Sequence, residues 1–194
     1  MTGIQRVCVY CGSADRVAES YREAARRTGH LLAEAGMELV YGGGHVGLMG
    51  LAADAALSAG GRVVGIIPDF LHSRELTHKS LHELIVVGSM HERKQRMFER
   101  SDAFTILPGG FGTLDEAFEC MTWKQLGLHD KPIVIVDVDG YWKPLLALLD
   151  HAIGAGFAPE RMRNAAQVVP GPEELIAVLK SAAPPQVPPR PERA

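Results

Sequence analysis

The sequence predicts an α/β fold: one domain built as a three-layer sandwich, with a mostly parallel sheet of about seven strands and helices on both faces. Three observations carry this. Short apolar runs alternate with stretches of helical periodicity along most of the chain. The runs are apolar nearly throughout, as strands covered on both faces must be. Glycine clusters stand where such runs stop and helical patterns begin, at 42–50 and again at 109–112. A chain of 194 residues suits one domain with a proper core.

Composition narrows the function. Hydrophobic residues make up 46% of the chain and the formal net charge is −3, so no field draws it to nucleic acid or to an acidic membrane. No stretch reaches the ~18 uninterrupted apolar residues of a transmembrane helix. The N-terminus, M-T-G-I-Q-R, runs straight into a strand without the apolar region of a signal peptide. A cytoplasmic protein with no nucleic-acid or membrane partner is expected. Three cysteines, Cys8, Cys11 and Cys120, argue against a disulfide framework. Cys8 and Cys11 have redox spacing, but Cys8 lies inside the first apolar run and reads as buried. His78 and His82 would share a helix face if their segment were helical. No third ligand accompanies them, so they read as surface or loop histidines and no metal is expected.

The elements follow in order. Residues 6–10 (R-V-C-V-Y) make a buried strand, and Cys11, Gly12 and Ser13 a tight turn, where Ser13 either donates to a phosphate or simply begins the loop. A helical pattern over 18–35 puts Tyr21, Ala24, Ala25, Leu31, Leu32 and Ala35 on its buried side, and Gly36 caps it. The second strand is 37–41 (M-E-L-V-Y). The turn G-G-G-H-V-G-L-M-G from Gly42 leads into an alanine-rich helix at 51–59. Gly43 and Gly44 there offer backbone N–H groups to a phosphate or ribose; packing of a helix start against the sheet demands glycine equally. Gly60 and Gly61 turn the chain into strand 62–67, stopped by Pro68. The stretch 69–82 is polar and irregular and suits a lid or rim, and Glu75 within it reads, alone, as a solvated charge. Strand 83–87 (E-L-I-V-V) follows.

The next helix, 89–98, is capped by Ser89 with Glu92 three residues on. Its few apolar positions are Met90, Met97 and Phe98, and Arg93 shares their inward face. An arginine there needs an anion, Glu116 or a ligand phosphate, or must reach out to water. Lys94 lies on the next face and reads as solvated. Later elements are strand 133–136, helix 141–155, a short helix or loop at 157–165, an edge strand at 167–169, and helix 172–182 with Pro172 near its first position. Residues 1–182 thus form the domain, and the proline-rich 183–194 an extended or disordered tail.

The chain is organised around 102–126. An apolar strand, 103–107, ends at Pro108, and Gly109, Gly110 and Gly112 precede a helical pattern with Leu114, Ala117, Phe118 and Met121 on one face. Strand, glycine turn and helix aim free backbone N–H groups at one point beside a positive helix end, where a phosphate is the natural occupant. The wording is neither a P-loop nor the dinucleotide fingerprint. Glu116 stands one turn in, a poor neighbour for phosphate unless it faces another part of the ligand, which hints at catalysis there. Thr113 and Glu116 also have the spacing of a capping box, and both readings stay open.

The string P-G-G-x-G-T-x-x-E from Pro108 closely resembles the signature of the LONELY GUY-type phosphoribohydrolases, formerly labelled lysine decarboxylases. The similarity runs from Val7 to about Leu179. Its landmarks are C-G-S at Cys11, Y-G-G-G-x-x-G-L-M-G from Tyr41, P-x-x-L near Pro68, R-E at Arg74, M-H-E-R-K from Met90, Thr122-Trp123, and Q-L-G at Gln125. The resemblance implies a Rossmann-like fold and a homodimer with the site near the interface. It implies cleavage of the N-glycosidic bond of nucleoside 5′-monophosphates, with AMP or isopentenyladenosine monophosphate as substrate and no cofactor. It makes Arg93 and Glu116 the catalytic pair. It places Glu75, Arg93, Lys94, Gly110, Phe111, Gly112, Thr113, Leu114, Asp115, Glu116 and Thr122 on the nucleotide, with Ser13, Gly43, Gly44, Met90 and Gly109 as further candidates. The main rival is a non-catalytic AMP-type sensor in which Glu116 and Arg93 are a structural cap and ion pair. A decarboxylase would need pyridoxal phosphate on a buried lysine, and the sequence singles out none.

Overall fold

The computed structural model describes residues 3–72 and 77–186. Seven strands form one sheet: β1 (Arg6–Tyr10), β2 (Glu38–Tyr41), β3 (Val63–Pro68), β4 (Glu83–Val87), β5 (Ala103–Ile106), β6 (Ile133–Val136) and β7 (Gln167–Val169). Between them lie α1 (Glu19–Glu34), α2 (Gly47–Ser58), α3 (Asp69–His72), α4 (Met90–Arg100), α5 (Phe111–Gln125) and α6 (Lys143–Gly154), and α7 (Pro172–Ser181) closes the chain. Short 3₁₀ turns occupy Val138–Gly140 and Glu160–Asn164. The strand order is β4-β3-β2-β1-β5-β6-β7, and every pairing is parallel. The chain therefore winds outward from β1 to β4, then returns across β1 to begin the other half at β5. The order reverses between β1 and β5, and the crevice beyond their carboxyl ends is where such sheets bind ligands.

Two-residue periodicity sorts side chains between the two faces. From β1, Val7 and Val9 enter a core closed by α1, α2 and α7, with Leu32, Ala52 and Leu175. Cys8 and Tyr10 enter the other core, under α4, α5 and α6, with Met97, Phe98, Phe104 and Trp142. Each fully buried Val, Leu or Ile contributes about 1.5–3 kcal/mol. α1 and α2 approach closely because Gly29 has no Cβ; one added there would overlap the Ala52 carbonyl oxygen. All three cysteines are buried and unpaired. Lys131, just before β6, is also buried. Its Nζ donates to the Phe98 carbonyl at 2.5 Å, satisfying the end of α4, and lies 4.0 Å over the Phe98 ring. Burial lowers its pKa to about 8. Pro184 and Pro185 run back beneath this edge, and the Gln186 N–H donates to Asp130 at 2.9 Å. Among the described residues, no helix is long and apolar enough to cross a membrane.

Candidate active site

A cavity of about 320 Å³ opens beyond the carboxyl ends of β1, β2, β3 and β5. Ser13, Gly42, Gly44, Met90, Arg93 and the Gly110–Glu116 turn supply most of its polar and backbone wall, with Met49, Ile67 and Leu71 on its apolar side. The glycine turns interlock at its floor. The Gly12 N–H donates to the Pro108 carbonyl at 3.0 Å, and the Leu48 N–H to the Gly12 carbonyl at 3.0 Å. Asp15 caps α2 by accepting from the Gly47 N–H at 2.8 Å.

α5 begins at Phe111 and not at Leu114. Gly110, in extended backbone, is its cap residue, and the Leu114 N–H makes the first intrahelical bond, to the Gly110 carbonyl at 2.9 Å. Thr113 lies inside the first turn, so the capping box does not form. The glycine turn needs no side-chain cap to start the helix, and the first-turn N–H groups face the cavity without intrahelical partners. A ligand anion is the partner that chemistry would supply. Thr113 instead packs over Gly109, where a Cβ would overlap its hydroxyl. The buried face of α5 is made of Thr113, Glu116, Ala117, Cys120 and Met121. Phe118, expected inside, is 39% exposed.

Glu116 is buried beside Arg93, whose Nη2 stands 3.5 Å from its Oε1. Burial pushes the Glu116 pKa up to about 7; Arg93 pulls against this and does not win. Arg93 sits where the Met90 and Met97 spacing puts it. The helix cap forms as expected, with the Glu92 N–H donating to Ser89 Oγ at 3.1 Å. The Arg93 guanidinium lies against Gly42, where a Cβ would overlap Nη2. Its Nη1 is 3.8 Å from Met90 Sδ, and its buried Nε has no hydrogen-bond partner among the described residues.

The other candidates divide between the cavity wall and its surroundings. Ser13, Gly44, Met90, Gly110, Phe111, Gly112 and Thr113 line the cavity with Arg93 and Glu116. Gly43, Gly109, Leu114 and Asp115 adjoin the lining residues but are not part of it. Lys94, read as solvated, is buried: its Nζ meets Glu119 at 3.0 Å and Asp115 at 3.1 Å. Burial works against its charge, but these two carboxylates outweigh it and raise its pKa. The α5 carboxylates were the missed signal: their spacing puts both on the side facing α4. Thr122 is exposed, six residues past Glu116, which is roughly 9 Å along the helix and 120° around it. Glu75 lies outside the described residues.

A family model described as "Possible lysine decarboxylase" matches residues 49–179. The chain is 46% identical over 181 residues to the probable cytokinin riboside 5′-monophosphate phosphoribohydrolase LOGL5 of Oryza sativa subsp. japonica, covering 93% of this chain and 74% of that protein. It is 45% identical over 180 residues to the cytokinin riboside 5′-monophosphate phosphoribohydrolase LOG3 of Arabidopsis thaliana, covering 93% and 84%. The chain belongs to the LOG family.

Outside the LOG relatives the fold is shared with more distant proteins. The molybdenum cofactor binding protein of Rippkaea orientalis superposes with a TM-score of 0.69 at 23% identity, covering 90% of this chain and 94% of that one. The Chlamydomonas rheinhardtii Moco carrier protein gives 0.68 at 21%, with the same coverage. These bear out the Rossmann-like α/β sheet expected of a LOG protein.

Proposed function

We propose that the protein hydrolyses the N-glycosidic bond of N6-modified or plain adenosine 5′-monophosphates, releasing cytokinin or adenine and ribose 5-phosphate. The observation that carries this is Glu116, a buried carboxylate in the cavity with its pKa near 7, paired with Arg93 beside a helix start that offers free N–H groups. The LOG relatives are named as cytokinin riboside 5′-monophosphate phosphoribohydrolases, which supports the N6-modified arm of this reading.

The turn from Gly110 to Thr113 holds the 5′-phosphate on its N–H groups, with the Ser13 hydroxyl as a further donor. Binding energy from that remote group fixes the ribose against Glu116. Water adds to the anomeric carbon as the carbon–nitrogen bond breaks; the base leaves with the bonding electrons and takes up a proton. Positive charge grows on the sugar, as in glycoside hydrolysis. Ionised Glu116 stabilises that charge and takes the proton of the attacking water. Arg93 positions Glu116. Lys94, clamped to Asp115 and Glu119, holds α5 in place against α4. No step calls for a metal or cofactor, so activity persists in chelator.

The working unit is a homodimer in the cytoplasm. Seven-residue spacing sets Phe111 and Phe118 on one outer stripe of α5 with Thr122, and Phe111 is 92% exposed. Pairing through this stripe covers both aromatic rings and brings Thr122 toward the nucleotide in the partner's cavity. Three buried thiols suit a reducing compartment.

Incubation with AMP and, separately, isopentenyladenosine monophosphate, with free base followed by chromatography, tests the reaction. Release of base from either is expected. Nucleotide binding without release from either would overturn the proposal and leave a sensor.

A further inference from the structure

A second set of donor atoms gathers away from Glu116. His45 lies in the turn after β2, Asp54 on α2, and His78 just past the rim, and their donor atoms all lie within 4.8 Å of one another. His78 is buried, with Nε2 2.9 Å from Asp54 Oδ1. The His45 ring meets the His78 ring edge-on, with centroids 4.8 Å apart. His45 and Asp54 are exposed and open to solvent. The segment holding His78 and His82 is not helical, so the two rings share no helix face. His82 Nδ1 instead accepts from the Val63 N–H at 3.3 Å, and the two companions of His78 come from distant segments, His45 after β2 and Asp54 on α2.

We propose that His45, Asp54 and His78 bind one divalent transition-metal ion of the zinc class. Two imidazoles and a carboxylate suit such an ion, with water completing a tetrahedron. Ligands about 2.0–2.2 Å from the metal sit roughly 3.4 Å from one another. Small rotations of His45 and Asp54, the two exposed side chains, close the set. His78 must change tautomer. The Ser80 N–H donates to its Nδ1 at 3.2 Å, which leaves the ring proton on Nε2, facing Asp54. Metal binding takes the Nε2 lone pair; the proton passes through solvent to Nδ1, and the exposed Ser80 amide turns to water.

The ion staples a wall of the cavity. The His78 N–H donates to the Gly43 carbonyl at 3.0 Å, and Gly44, which lines the cavity, pairs with Thr77. Bound metal joins this turn to α2 without touching Glu116. Its removal leaves the chemistry intact, so the site and the proposed reaction stand or fall separately.

The test uses the full chain, stripped with chelator and titrated with Co²⁺ by visible absorption and with Zn²⁺ by equilibrium dialysis and Tm. One ion per chain is expected, with Tm rising as metal is added. His45→Ala and Asp54→Asn change exposed side chains and keep the fold; each is expected to weaken binding by about 10-fold or more. His151→Ala, on α6, leaves it unchanged. Absence of saturable binding up to about 1 mM Co²⁺, or equal affinity in the His45 and Asp54 variants, overturns the site.

Discussion

The proposed reaction asks Glu116 to be buried and ionised at once, and its pKa of about 7 is the compromise. Burial favours the protonated form, so the charged, working form is populated only as pH rises through that value. With AMP, kcat/KM is expected to climb with pH and level off above about 8; a rate that falls across that range would exclude carboxylate catalysis. Glu116→Gln keeps the shape and loses the charge, so turnover should drop by about 10³-fold or more while nucleotide affinity, read by calorimetry, holds. Gly42→Ala acts at one remove. Its methyl group overlaps the Arg93 guanidinium, pushes it off Glu116, and should lower kcat far more than it raises KM. Arg93 was legible in the sequence because two methionines bracket it at helical spacing. The burial of Lys94 was not, since its carboxylate partners sit on α5, 21 residues further along for Asp115.

At the scale of elements, the strand–turn–helix at β5 and α5 was read correctly in kind, with its helix begun three residues late. A threonine followed three residues later by glutamate looks like a cap, and the glycines look like mere turn. Gly110 starts the helix itself, and the residues expected to cap it fall inside. Phe118 was assigned to the buried side for its apolar character, and it lies on the outer side. Short apolar strands were legible because burial on both faces leaves them nearly free of polar residues. Contacts between helices were not, because they depend on which small residues meet. Gly29 against Ala52 is the clearest case. Gly29→Ala should cost about 1–3 kcal/mol, visible as a lower midpoint in urea with nucleotide binding intact once folded.

The whole molecule places its cavity where the winding of the sheet reverses, and that follows from strand order alone. The sequence made the two glycine turns visible and left the order of strands to the resemblance. On the proposed pairing, the outer face of α5 extends the site beyond one chain. Phe118→Glu is expected to dissociate the homodimer in sedimentation and to abolish turnover. Mixing two inactive chains, Glu116→Gln and Thr122→Glu, should restore roughly a quarter of full activity, since half the dimers are mixed and each mixed dimer rebuilds one intact cavity. No recovery on mixing would confine the site to one chain. Lys131 offers a reading of the same molecule from within. Its amine is buried against Phe98, and its pKa, lowered to about 8, gives it a larger neutral fraction than a surface lysine has. An acylating reagent added to the native protein should therefore leave it unmarked while surface lysines react. The rate at which it is finally marked counts the openings of α4 away from β6, a clock for local breathing that needs no engineered label.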